Sequence, residues 1–313
     1  MAVYTPLNET EVGELLQPFG LVRLTRLRGT DAGIENTNFF VDVDDSAGHS
    51  HALVLTVFER GADALPYFVA LTTYLAEQGL PVPSPYRDHQ QQAIQQVKGK
   101  PALLVPRFPG AHPKIPNIEQ CRMIGNALAL MHQASPGFSL RRENDRGARW
   151  REITAPKVAA KLPADQQELL LQQVRGWRDD LPMLAQLPAG ISHGDLFHDN
   201  ALFDGNHLTG IIDFYNACHD LFVYDLAVLV NDWCSEADFT LNENRLQAVL
   251  RGYAEIRALT PEEQSVWPRM LVYAALRFWL SRLESWHFSA SAAGVQKKDP
   301  EPMRQLLLRR LAG

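Results

Sequence analysis

The chain has 313 residues, 46% of them hydrophobic and 21% charged, with a formal net charge of -6; this is enough apolar material for one large core or two medium ones joined by a cleft. The acidic balance supplies no excess of Lys and Arg with which to track a nucleic-acid backbone. Cys121, Cys218 and Cys234 are widely spaced and contain no CxxC pair, which argues against a disulfide framework or a zinc knuckle.

Residues 1–30 are interrupted by Asn8, Glu9, Glu11, Glu14, Arg23, Arg26 and Arg28, and no later run is long enough to span a bilayer. A soluble, cytoplasmic protein is expected. ETEVGELLQ (residues 9–17) has the spacing of a short amphipathic helix, and LVRLTRLRG alternates as a half-buried strand does. DAGIENTN (31–38) is a turn, and FFVDV and HALVLTVF flank a polar loop as a hairpin would. Leu65, Phe68, Val69, Leu75 and Ala76 recur at helical spacing until Gly79 and Pro81 stop the run. AIQQV and PALLV form a second hairpin, and a proline-punctuated stretch from Pro106 to Pro116 follows.

Beyond Pro116 the pattern is mainly helical, with periodic segments near 117–134, 165–179, 223–235, 242–257 and 262–287. ALF (201–203) and GIIDF (210–214) read as short strands, and the charged run from Leu140 to Glu152 reads as an exposed connection. The layout predicts an α+β protein of two lobes: residues 1–106 as a small antiparallel-sheet lobe, a hinge near 103–110, and residues 107–313 as a larger, mainly helical lobe.

The most informative stretch is ISHGDLFHDNALFDGNHLTGIIDF (191–214). Phosphoryl transfer needs a group to orient the attacking hydroxyl and hard oxygen ligands to hold magnesium against phosphates. Asp195, Asn200 and Asp213 are such a set. The plainer alternative is that they are turn residues and strand-end caps. His193 and His198 with Asp195 and Asp199 also invite a zinc reading, which loop placement without HExxH spacing disfavours.

HGDLFHDN, then IIDF, then YDLA (224–227) resembles the Brenner-type signature of the aminoglycoside phosphotransferase and choline kinase superfamily, relatives of the protein kinases. The resemblance implies a two-lobe protein-kinase-like fold binding ATP and Mg2+, with Asp195 as the catalytic aspartate and Asn200 and Asp213 as magnesium ligands. It makes His193 and Asp225 structural, with Asp225 bracing the catalytic loop. LRGTDAGIENTNFFVDV is similar to the family's phosphate lid, which makes Gly33, Asn36, Thr37 and Asn38 candidate phosphate-loop residues. LLVPRFPG falls at the family's hinge, where backbone groups from Val105 to Arg107 would bond adenine.

One departure is specific. The family's strand lysine is replaced by Thr56 in HALVLTVFER, and the first lysine of the chain is Lys98. The helix glutamate that pairs with it is missing as well, so neither is left as an uncompensated charge; Thr56, Arg28 or Arg60 would compensate. GIENTNFFV, VLTVFE, LPVPSP, HGDLFHDNALF and ALRFWLSRL resemble the bacterial homoserine kinases of this fold, which share that threonine.

The acceptor is then a small zwitterion, for which Arg277 and Arg282 are candidate carboxylate partners and Asp220, Asp232 and Glu284 candidate ammonium partners. The plainer reading of these five is a solvated helix face with i, i+4 pairs. Phe278, Trp279, Trp286 and Phe288 read as core, while an aromatic cage keeps an amino-alcohol acceptor open; another small-alcohol or amino-sugar kinase and a non-catalytic nucleotide binder are the alternatives. The implied partner is a small molecule, with neither nucleic acid nor membrane, and the oligomeric state, monomer or homodimer, is left open.

Overall fold

The structure, a computed structural model, describes residues 4–30, 36–59, 62–288 and 297–313. The chain divides into two compact units, one running to Gly110 and including Thr209–Ile212, the other running from Ala111 to Leu208 and resuming at Asp213.

The first unit is built on an antiparallel sheet of β1 (Leu21–Gly29), β2 (Thr37–Asp45), β3 (Ser50–Val57), β4 (Gln95–Val97) and β5 (Lys100–Pro106), in the order β1-β2-β3-β5-β4. Strand alternation gives the sheet two different faces. Phe39, Val41 and Val43 of β2 join Leu53, Leu55 and Val57 of β3, Ala102 and Leu104 of β5, and Val12 and Leu16 of α1 (Glu9–Leu16) in one buried cluster. Burying a side chain of this size contributes about 1.5–3 kcal/mol, so α1 and the sheet hold one another. Asn8 starts α1 through a capping box with Glu11. The opposite face is polar and aromatic: Asn38 pairs with Thr56, Phe40 with Val54 and Arg28, and Asp42 with Arg26. Helix α2 (Leu65–Glu77) buries Leu65, Phe68, Val69, Leu71 and Leu75.

The second unit is helical. Its centre is α6 (Phe222–Trp233), in which every residue but Asp232 is buried, so it is a core helix rather than an amphipathic one. It packs on α8 (Pro261–Phe288), whose middle from Met270 to Leu280 is buried. Around them lie α3 (Ile118–Ala134), α4 (Ala148–Ala159), α5 (Ala164–Leu184), α7 (Glu243–Ala254) and α9 (Glu301–Leu311). Two small strand pairs complete it: β6 (Ala189–Ser192) runs antiparallel to β9 (Cys218–Leu221), and β7 (Ala201–Asp204) pairs with β8 (His207–Ile211). No described helix is long and apolar enough to cross a membrane.

Two elements differ from the sequence reading. The charged run ending at Glu152 is not simply an exposed connection, because α4 begins inside it and buries Arg151, Thr154, Ala155, Val158 and Ala159. That is a regular helical stripe, masked in the sequence because an arginine occupies one of its positions. The expected strand GIIDF also ends early: β8 stops at Ile211, and Asp213 lies beyond it in a left-handed conformation (φ 65°, ψ 56°).

Helices α3 and α7 approach backbone to backbone at Gly252, where an added Cβ would stand 2.0 Å from the Arg122 carbonyl oxygen. Gly252→Ala is expected to force the helices apart and lower stability by about 2 kcal/mol, the usual range for overpacking. Urea unfolding measures this, and an unchanged midpoint would show that the helices part without penalty.

Candidate active site

The loop after β6 is held from below by one carboxylate. Asp225, in the first turn of α6, accepts the backbone N–H of His193 and of Gly194, each at 2.8 Å. Gly194 has φ +71°, and a Cβ there would lie 3.0 Å from the Asn216 carbonyl oxygen, so only glycine makes the turn without strain. Asp225 also meets His132 Nε2 at 3.2 Å, His132 Nδ1 meets the Tyr253 hydroxyl at 2.7 Å, and Arg257 Nη1 donates to that hydroxyl at 3.0 Å.

Proton placement follows from the partners: the Tyr253 hydroxyl donates to Nδ1, which leaves the imidazole proton on Nε2, facing Asp225. Burial pushes the His132 pKa down, against the pull of Asp225. Burial works to raise Asp225, but the hydrogen bonds and charges of His132, His193 and Gly194 hold it below the ordinary carboxylate range.

Two further groups of α6 fix the rest of the loop. Trp233 Nε1 donates to the Leu196 carbonyl at 3.0 Å, and Asp232 Oδ2 accepts from the His198 N–H at 2.6 Å and lies 2.7 Å from its ring Nδ1. Within that frame Asn200 Nδ2 donates to the Asp195 carbonyl at 2.8 Å, and Asn216 Nδ2 donates to Asp195 Oδ2 at 3.1 Å. Arg277, 8% exposed, places Nη1 4.0 Å from Asp195 Oδ1 and donates through Nη2 to Asn216 Oδ1 at 3.3 Å. Burial, eased by Arg277 and reinforced by the charge of Asp213, pushes the Asp195 carboxyl up to about 7. Asp213 itself is exposed; aspartate is one of the few non-glycine residues that tolerates its left-handed backbone, and such strain clusters at functional sites.

The structure therefore brings Asp195, Asn200, Asp213, His193, Asp225 and Arg277 together. Arg282 is drawn into the same field by Asp299, Asp195, Asp232 and Asp199, and donates to the Asp299 carbonyl at 3.1 Å. The three acidic residues expected to hold an ammonium are otherwise engaged. Asp232 positions His198. Glu284 accepts from Arg146 at 2.7 Å, Trp150 at 3.1 Å and Thr154 at 3.4 Å. Asp220 accepts from Asn144 and from the Leu221 N–H; burial raises its pKa.

On the sheet of the first unit the expected nucleotide residues separate. Asn38 Oδ1 accepts the Thr56 hydroxyl at 2.7 Å on the polar face. Thr37 points the other way, because alternation turns it into the core: its oxygen accepts the N–H groups of Tyr4 and Thr5 and donates to Glu59, which Lys100 also pairs with. The Thr37 hydroxyl is thus not offered to a phosphate. Asn36 Oδ1 accepts the Glu59 N–H at 3.3 Å, and Gly33 lies outside the described residues.

Within the segment Val105–Arg107, whose backbone groups were expected to meet adenine, Val105 pairs with Val54 and the Arg107 N–H donates to the Ala52 carbonyl at 2.9 Å. The Arg107 side chain pairs with Asp42 and, like Arg28, lies over Phe40, at 5.2 and 5.1 Å. Arg26, Arg28, Phe40 and Arg107 line a cleft of about 220 Å³. Sequence reasoning missed His132, Tyr253, Asn216 and Arg151, which carry no motif and meet their partners only through the tertiary fold.

The His132 relay makes stability depend on pH. Its folded pKa lies below the unfolded value, so the unfolded chain takes up the proton first, and stability falls as pH drops below about 6.5. Asp225, lowered in the fold, adds its own loss only at more acid pH, below the unfolded carboxylate range. Urea midpoints between pH 7.5 and 5.5 are expected to fall more steeply for the wild type than for His132→Gln; parallel slopes would remove His132 as the source.

Residues 26–259 match the phosphotransferase enzyme family, APH. A homoserine kinase of Methylobacillus flagellatus is 41% identical over 313 residues, covering 100% of this chain and 96% of the relative. One from Pseudomonas aeruginosa strain UCBPP-PA14 is 43% identical over 287 residues, covering 90% and 88%. A microcompartment-associated aminopropanol kinase superposes with a TM-score of 0.68 at 17% identity, over 97% of this chain and 94% of that one. The amicoumacin kinase hAmiN, in complex with AMP-PNP, Ca2+ and Ami, superposes with a TM-score of 0.67 at 18% identity, over 97% and 92%. These structural likenesses establish an α+β, protein-kinase-like fold, and together with the sequence match over most of its length they show that the chain belongs to the phosphotransferase enzyme family.

Proposed function

We propose that this chain is a kinase that transfers the γ-phosphoryl group of ATP to the hydroxyl of L-homoserine, giving O-phospho-L-homoserine on the route to threonine. The observation that carries the chemistry is the cluster of Asp195, Asn200 and Asp213, with Arg277 beside it. The acceptor follows from relatives about 40% identical along nearly the whole chain, which are homoserine kinases.

The donor set suits a hard divalent cation. Asn200 has its amide nitrogen engaged by the Asp195 carbonyl, which makes its oxygen the atom on offer, and Asp213 contributes an exposed carboxylate. Among the described residues no group of three or more His, Cys, Asp or Glu is arranged to hold a metal; a pair of oxygen ligands is what Mg2+ takes when phosphates and water complete its shell. Bound there, Mg2+ would neutralise charge developing on the phosphates.

The chain's own residues do the rest. Asp195, as carboxylate, orients the acceptor hydroxyl and takes up its proton as the new O–P bond forms and the bond from the γ-phosphorus to the β,γ-bridging oxygen breaks, with ADP as the leaving group. Asn216 fixes the carboxylate plane, and Arg277 favours its ionised form. On the polar sheet face, Thr56, which the resemblance sets at the family's lysine position, is bonded to Asn38, and Phe40 with Arg28 and Arg107 would offer an aromatic and cationic surface to the nucleotide.

A coupled ADP-release assay with homoserine, choline, methylthioribose and an aminoglycoside tests the acceptor; turnover confined to one of the last three would replace homoserine, and none at all would leave a nucleotide binder. Asp195→Ala is expected to lower kcat by about 10³-fold or more while ATP affinity changes little, because the side chain acts on the transition state. Loss of both together would make Asp195 a structural residue. Since the free-enzyme carboxyl lies near 7 and only its ionised form acts, kcat/KM for the nucleotide is expected to fall as pH drops below about 7. A profile flat to pH 5 would contradict that role.

A further inference from the structure

Arg151 of α4 is 1% exposed. Its guanidinium lies over the Trp177 ring at 3.8 Å and beside the Tyr224 ring at 5.6 Å. Only Nη2 finds an acceptor, the Tyr224 hydroxyl at 3.2 Å; Nε and Nη1 are buried with no hydrogen-bond partner, and so is the indole N–H of Trp177. Three buried donors, two of them on one cation, thus lack an acceptor. Natural cores seldom leave such groups unsatisfied, because each forfeits its hydration for nothing.

The charges around Arg151 do not close the account. Asp220 is within electrostatic reach but has its own partners in Asn144 and the Leu221 N–H. Arg277 is also within reach and repels it. Arg277 is at the same time the guanidinium beside Asp195. Two mutually repelling guanidiniums, one next to the proposed reacting carboxylate and one with idle donors, are what an anion-binding clamp looks like without its anion.

The acceptor supplies that anion. Homoserine has an acceptor-only carboxylate roughly 5 Å from its hydroxyl oxygen at ordinary bond lengths. With the hydroxyl at Asp195, a carboxylate at that separation would meet Arg277, which stands 4.0 Å from Asp195 and is within electrostatic reach of Arg151. We propose that Arg151, together with Arg277, clamps the acceptor's carboxylate, with the Trp177 N–H as a third donor. This makes Arg151 the residue that separates an amino acid from an amino alcohol, and it rests on the homoserine reading.

The test compares homoserine with 3-aminopropan-1-ol, which is homoserine without its carboxylate. The ratio of kcat/KM for the two is measured in the wild type and in Arg151→Met, which keeps an unbranched stem against Trp177. The ratio is expected to fall about 100-fold, the scale of a lost charge-assisted pair, through KM for homoserine rather than KM for ATP. The melting temperature of the ligand-free variant is expected not to fall, since an uncompensated buried charge has been removed.

A ratio within threefold of the wild type would overturn the assignment of Arg151 while leaving the kinase reading intact. No wild-type turnover of homoserine would overturn the acceptor reading and the clamp with it. If Arg151→Met does not fold, Arg151→Lys decides: it keeps the charge but not the fork, so a ratio about tenfold lower supports the clamp, and an unchanged ratio rejects it.

Discussion

The Asp225 carboxylate is the constraint on which the site in the second unit depends. Two consecutive backbone N–H groups, at His193 and Gly194, converge on its two oxygens, and the turn they define aims Asp195. Backbone donors buried at this depth need partners, and an ionised acceptor serves them better than a carbonyl. The charge in turn has to be held, which His132, Tyr253 and Arg257 do in sequence. A helix that is apolar almost all round thereby carries, at Asp225 and Asp232, the polar groups that fix the loop above it.

In the first unit the same economy appears as a division between faces. One side of the sheet is closed by α1 and filled with Val, Leu and Phe; the other keeps Asn38, Thr56, Phe40 and three arginines. Two lysine–glutamate pairs do occur in this unit: Lys98 meets Glu11 of α1, and Lys100 meets Glu59 beside Thr5 and Thr37. The second pair, with the Lys100–Thr5 hydrogen bond, ties the start of the chain to the ends of the central strands β2, β3 and β5.

How much of this was legible in the sequence depends on the range of the interaction. Alternation gave β1 its bounds, and apolar spacing placed α2, α3 and α8, because those signals are local. The Asp195, Asn200 and Asp213 set could be proposed for the same reason, because all three fall within 24 residues of continuous chain. The direction of the Thr37 side chain was not legible because a motif does not say which face of a strand a residue takes, and the strand's alternation does. The engagement of the Arg107 N–H was not legible because the partner that claims it, Ala52, is far away in sequence. His132 was invisible since its partner Asp225 is 93 positions distant, and Arg151 because a charge in an apolar stripe reads as surface.

Arg151 and Asp225 show two opposite ways of keeping a charge out of water. Asp225 is fully provided for: donors reach both oxygens, and its pKa lies below the usual range in spite of burial. Arg151 is provided for by aromatic faces and one hydroxyl, and burial pushes its pKa down. A group that must stay fixed throughout a reaction cycle gains from the first arrangement, because satisfied charges rigidify what they touch. A group that must exchange a partner once per cycle is better left short of one, since every donor already satisfied would have to be broken before a ligand was met. The difference between the two residues is therefore the difference between holding the loop and receiving the acceptor.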